Sequence, residues 1–237
     1  MFRLRHIFTL LLLFMVAQLM GQTPQETTIN ASHRRYVTPT GAYSNRGTTW
    51  ADAKNNIQDA INDLVASHLL PGEVWVKEGT YRPTESTESG GSSLYASFKI
   101  PAGITVRGGF AGNEVTLNDR MVKYIDKDGK TVGTAKIGDT FDKDYTEKRF
   151  LHPTILTGDL SSRQANFTWN DQSHRYATQF YGNAYHVVWF ATNGFDSKGR
   201  ANALQLNDDS WTATLEGMII KRGYAYNSSL EGHPHNA

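Results

Sequence analysis

The 237-residue chain has no cysteine. That excludes a disulfide framework, a thiolate zinc site, a thiol nucleophile and a lipid-modified cysteine. It also lacks an excess of either charge. The formal net charge is +1, and without Arg3 and Arg5, which lie in the first 21 residues, 22 basic residues face 23 acidic ones. No polyanion-binding surface follows, so nucleic acid is not an expected partner. Neither G-x-S-x-G nor H-E-x-x-H occurs, which removes two common hydrolase signatures. "RGGFAG", from Arg107 to Gly112, has glycines without a strand-to-helix phosphate turn, a poor basis for a nucleotide site.

Long apolar runs are missing, with one exception. "IFTLLLLFMVAQLM" follows the basic "MFRLRH" and precedes the polar "GQTPQETT", and it is short for a membrane span. Residues 1–21 therefore read as a secretory signal peptide, cleaved after Gly21; a single-span anchor is the alternative. Both send the body out of the cytoplasm. Once the signal is removed, no transmembrane helix is expected.

What is present favours strands and turns: 21 Gly and 11 Tyr lean that way. Residues 22–35 read as a flexible polar tether, and a body from 36 to 237 follows. Within it, Thr48 or Thr49 can cap a helix over 50–67, because Ala53, Ile57, Ala60, Ile61, Leu64 and Val65 recur at helical spacing and form one apolar stripe. Units of a strand and a glycine then recur: "VWVKEGTY", "ITVRGGF", "TILTGDL", "YHVVWF" and "ATLEGMIIKRGY". Their matching positions Val76, Val106, Ile155, Val187 and Met218 are 30, 49, 32 and 31 residues apart. Such spacing fits a coiled repeat in which each turn adds a strand to a continuous sheet. The long gap should hold an insertion, and residues 122–138 supply one, a β-hairpin turning at Asp128-Gly129. "TESTESGGSS", from Thr84 to Ser93, reads as a mobile loop.

In that order, "YVTPTGAYSNRGTTWADAKNNIQDAI", "VWVKEGTYRPT", "FKIPAGITVRGGFAGNE", "HPTILTGDL", "NAYHVVWF" and "LEGMIIKRGYA" resemble the N-terminal part of secreted right-handed parallel β-helix proteins of the pectin-lyase-like superfamily. The version here is similar to surface proteins of Gram-negative anaerobes and, more distantly, to chlamydial polymorphic outer membrane proteins. The resemblance implies an all-β solenoid whose N-terminal end is capped by the 50–67 helix. Further repeats follow in such proteins, whereas here the unit begun at Ala213 gives way to polar "NSSLEGHPHNA". The stack is therefore expected to be cut short at its C-terminal end. The implied location is secreted or on the outer-membrane exterior, associated with the cell envelope. The implied function is a structural or adhesin-like module binding polysaccharide or host glycoprotein. The alternative is a polysaccharide lyase or glycoside hydrolase whose catalytic repeats lie beyond Ala237.

Candidate chemistry is thin. Lyases of this superfamily gather carboxylates around calcium with a Lys or Arg base nearby, and Asp159 with Lys221 or Arg222 comes nearest. Asp139, Asp142 and Asp144 could form a loose cation or sugar site, or a solvated acidic loop. "DKDGK", from Asp126 to Lys130, starts like a calcium loop, but Lys130 takes the next ligand position and Ile137 the place of the closing Glu. Calcium is thus the one cofactor to consider. Trp169, Tyr176, Phe180 and Tyr181 could stack on sugar rings, or pack beneath a long loop. His186 reads as a strand residue, and His233 with His235 as a terminal loop rather than a metal pair.

Overall fold

The computed structural model describes residues 29–84, 95–160, 183–184, 186–191 and 212–223. The expected signal peptide, residues 22–28 of the tether, residues 85–93 of the Thr84–Ser93 loop, Trp169, Tyr176, Phe180, Tyr181, His233 and His235 lie outside them. The described body is mostly β, with parallel sheets. Its strands are β1 (Arg34–Val37), β2 (Gly72–Lys77), β3 (Gly79–Tyr81), β4 (Phe98–Pro101), β5 (Ile104–Phe110), β6 (Met121–Ile125), β7 (Thr131–Lys136), β8 (Glu147–Phe150), β9 (Thr154–Thr157), β10 (Val188–Ala191), β11 (Thr214–Glu216) and β12 (Met218–Lys221); helix α1 spans Ile57–Ala66. No described helix is long and apolar enough to cross a membrane.

Three of the sheets are parallel. The first has the order β1-β2-β5-β11, the second β3-β9-β12 and the third β4-β10. Following the chain from β2, the path visits the first, second and third sheets, returns to the first at β5, and repeats that order through β9, β10, β11 and β12. Residues in register form columns. Arg35, Val74, Val106 and Leu215 make one in the first sheet, and Tyr81, Leu156 and Ile220 make one in the second. Val74, Val106, Tyr81 and Leu156 of these columns meet Phe98, Ile100 and Val187 in a single apolar core, and Leu215 packs against it. Fully burying each such side chain is worth roughly 1.5–3 kcal/mol.

These columns revise the repeat read from the sequence. Its five units are not equivalent members of one series: those at Val74, Ile104 and Ala213 stack in the first sheet, while Thr154 begins a strand of the second and "YHVVWF" leads into the third. Strands of every sheet that faces one core show the same two-residue alternation, so the pattern marks the core side without saying which sheet. Glycine recurs because the corner after the first sheet is tight. A Cβ on Gly108 would lie 2.6 Å from the Gly217 carbonyl oxygen, and one on Gly217, where φ is +69°, 2.8 Å from that of Gly108.

The helix is shorter than expected. It starts at Ile57, capped by Asn56 Oδ1, which accepts from Gln58 N at 2.8 Å. Residues just before it are held by β1 instead: Lys54 N donates to the Tyr36 carbonyl and Thr38 N to the Lys54 carbonyl. Ala53 is buried in that segment, and Val65 is 37% exposed, so neither belongs to the buried helical stripe. Ile57, Ala60, Ile61 and Leu64 enter the core. Gln58 does something the apolar pattern did not announce. Its buried amide accepts from Lys99 N at 2.8 Å and donates to the Lys99 carbonyl at 3.2 Å, standing in for a neighbouring strand along β4. The tether is also shorter than read, because Arg34 and Arg35 already belong to β1, where Glu73 and Asp63 neutralise them.

The other face of the first sheet is closed by charge and aromatic rings. Glu73, 3% exposed, accepts from Arg34 Nε and Nη2, from Trp75 Nε1 and from Arg107 Nε at 3.0–3.2 Å. Arg107 also pairs with Glu216, whose other oxygen accepts from Arg120 Nη2 at 2.7 Å. Tyr36, Trp50 and Phe110 pack around Trp75. Arg120 leads into an insertion of three antiparallel strands, β7-β6-β8, that projects between β5 and β9. The expected hairpin is thus part of a three-stranded sheet, and its turn is closed by Asp126 Oδ1 accepting from Asp128 N and Lys130 N.

Removing the Glu73 carboxylate would take from Arg34 its carboxylate partner and leave Arg107 with Glu216 alone. Glu73→Ala is expected to lower the unfolding free energy by about 3–5 kcal/mol, measured by urea titration. Arg149→Ala, which breaks an exposed pair with Glu147, should leave the urea midpoint where it is.

Candidate functional site

The structure brings together two of the three residues considered for catalysis. Arg222 Nη1 donates to Asp159 Oδ2 at 2.8 Å, and Arg82 Nε donates to the Asp159 carbonyl at 2.6 Å. Lys221, at the end of β12, is exposed and contributes its carbonyl to Gly158 N. Asp159 itself is 3% exposed, and Arg222 has a left-handed backbone with φ of 62°. The pair ties the end of β9 to the end of β12.

Asp139, Asp142 and Asp144 are exposed on the connection between β7 and β8. Asp139 closes a turn, its Oδ2 accepting from Lys136 N and its own N–H donating to the Lys136 carbonyl. Among the described residues no group of three or more His, Asp or Glu side chains converges as a cation site. His186 is exposed, and β10 begins two residues later.

A different set of residues lines a recess of about 430 Å³ at the join between the insertion and the parallel body: Ala111, Asn113, Glu114, Val115, Asp119, Met121, Lys136 and His152. Its walls are held by two carboxylates. Glu114 accepts from the backbone N–H groups of Ala111, Gly112 and Asn113 at 2.6–3.0 Å, and its carbonyl accepts from Trp50 Nε1. Asp119 Oδ2 accepts from Val115 N, Thr116 N and Thr116 Oγ1, while its Oδ1 accepts from Lys136 Nζ at 2.8 Å. Gly112, with φ of +97°, lets the first loop turn tightly beneath the Lys77 side chain.

On the far wall His152 Nδ1 lies 2.9 Å from Glu78 Oε2. With the carboxylate as acceptor, Nδ1 carries the proton, and Nε2 makes no hydrogen bond among the described residues. Lys136 Nζ spends one of its three donors on Asp119, and the exposed Asn113 side-chain amide spends none among the described residues. Val115 is 79% exposed, so a large apolar side chain stands beside these polar groups. Sequence reading missed all of them. The nearest signal was "NEVTLND", where Thr116 and Asp119 stand at capping-box spacing.

The Lys136 hydrogen bond, and then those from Thr116, hold the Asp119 carboxyl well below the usual aspartate range. Its folded value being the lower one, the loop gains stability above the unfolded value, and that gain is lost as pH falls through the folded value. A carboxyl-carbon NMR titration is expected to find the Asp119 midpoint below that of the unfolded chain. In Lys136→Met it should move up towards the ordinary range. In comparisons with known proteins, no family model, curated protein or solved structure matches the chain.

Proposed function

We propose that the chain is a secreted right-handed parallel β-helix and serves at the cell surface as a structural or adhesin-like module that binds carbohydrate or glycoprotein. The observation that carries the architecture is the repeated path through three parallel sheets, with neighbours in register across each. Crossovers between parallel strands of one sheet are right-handed in nearly every protein, which supplies the hand. Helix α1 acts as the cap, since its apolar face covers core residues and Gln58 occupies the backbone edge of β4. Export is supported by the N-terminal segment, whose basic start, apolar run and polar sequel fit a signal peptide.

Binding is supported by the insertion. A three-stranded sheet that leaves the side of a parallel stack adds no strand to it, yet it is anchored by Arg120 and creates the recess at its root. Loops carried on a rigid scaffold are where recognition usually resides. The second reading, a calcium-dependent lyase or a hydrolase, draws on Asp159 and Arg222 lying 2.8 Å apart on successive strands of the second sheet's end.

One experiment separates the readings. The purified chain is screened on an array of neutral and acidic polysaccharides, and the solutions are assayed for released fragments with calcium and with chelator. Retention of a polysaccharide without fragment release is the expected result. Fragment release that needs calcium would replace the binding module with the enzyme.

A further inference from the structure

We infer that the recess at the root of the insertion is a binding site for a neutral saccharide unit. The inference rests on the carbohydrate-binding reading above and names the site and the class of sugar. At about 430 Å³ the recess falls within the roughly 300–1,000 Å³ typical of small-molecule sites. Its backbone is already set. The Glu114 carboxylate takes the amides of Ala111, Gly112 and Asn113 and the Asp119 carboxylate those of Val115 and Thr116, so Val115 stands 79% exposed on a loop that has little freedom left to lose. Val115 and Met121 give an apolar surface on which the C–H face of a sugar ring can lie.

The polar groups left over call for a ligand that both donates and accepts. Lys136 Nζ has two N–H donors beyond Asp119, the Asn113 amide offers a donor and an acceptor, and His152 presents Nε2 while Nδ1 is bonded to Glu78. Sugar hydroxyls, each both donor and acceptor, meet all three at once: one can bond to His152 Nε2, while another accepts from Lys136 or Asn113. Charge argues against an acidic sugar. Lys136 is balanced by Asp119, Glu114 lines the recess and Glu78 stands against His152, so no net positive field is left to draw a uronate.

The test is calorimetric titration of the full chain with mannan, galactan and glucan tetrasaccharides, a galacturonan tetrasaccharide, and a glycopeptide carrying neutral sugars. Asn113→Ala, Val115→Ser and His152→Ala are titrated alongside, each checked for fold by circular dichroism. Asn113 and Val115 are exposed, so their variants keep the test open if His152→Ala unfolds. The expected result is binding of a neutral tetrasaccharide or of the glycopeptide, weakened about five- to tenfold by each substitution, with the galacturonan weaker. Which neutral ligand binds distinguishes polysaccharide from glycoprotein as its source. Neutral binding unchanged in all three variants would place the sugar elsewhere, overturning the site but not the carbohydrate reading. Preference for galacturonan would overturn the neutral class, and no binding of any glycan would remove both.

Discussion

The carboxylate of Glu73 sits where water does not reach, and four N–H groups from β1, β2 and β5 converge on it. Burying a carboxylate costs several kcal/mol unless its partners are all in place. Arg34, Trp75 and Arg107 can be in place only when the three strands are in the observed register, with Arg34 opposite Glu73 and Trp75 opposite Arg107. A slip of one residue would turn Glu73 into the core and Val74 out of it. The same arrangement closes the outer face of the first sheet, where the Arg34 guanidinium lies 3.8 Å over the Trp75 ring. Five of the six residues of β2 are therefore buried, as in a sheet covered on both faces.

From Glu73 the alternation of charge runs outward through Arg107 and Glu216 to Arg120. Arg120 is 3% exposed and lies between the rings of Phe110 and Phe150, with Nη1 donating to the Gly108 carbonyl. It joins the projecting sheet to the parallel body through polar contacts that have one geometry. The proposed saccharide site depends on that join, because its walls belong to the insertion and to the segments entering and leaving it. Position of the recess and register of the first sheet are thus consequences of one network.

Much of this fold is legible in the residues. Alternating strands, the apolar stripe at Ile57, Ala60, Ile61 and Leu64, and the Asp128-Gly129 turn each have a local cause and can be read locally. The distribution of strands over three sheets is not local, since Val106 meets Leu215 across 109 residues of chain. The true helix start was hidden for a similar reason: Lys54 makes its backbone bonds to β1, a partner that no helical periodicity reveals. Thr48 or Thr49 reads as the cap, and Asn56, which caps the helix, does not. For the site the position was reversed. Asp159 and Arg222 were legible and do meet, where β9 and β12 end. Asn113, Val115, Lys136 and His152 were passed over, because ordinary residues in loops and at strand ends gain meaning only when an insertion folds back beside them. The charge ladder did leave a trace: Arg107 and Glu216 both stand immediately before the glycine of their unit, with opposite signs at the same position.

The central claim is the parallel register that joins distant segments in the first sheet, and the absence of native cysteine makes it directly testable by cross-linking. Thr105 and Thr214 are register partners on β5 and β11. Neighbouring strands lie about 4.8 Å apart, within the roughly 4.4–6.8 Å that a disulfide spans. Under mild oxidation the Thr105→Cys/Thr214→Cys chain should close a disulfide in the folded state, read by mass spectrometry of its tryptic peptides. Thr80→Cys/Thr214→Cys, whose positions belong to different sheets, should not. A second pair that closes while the first stays open would contradict the account.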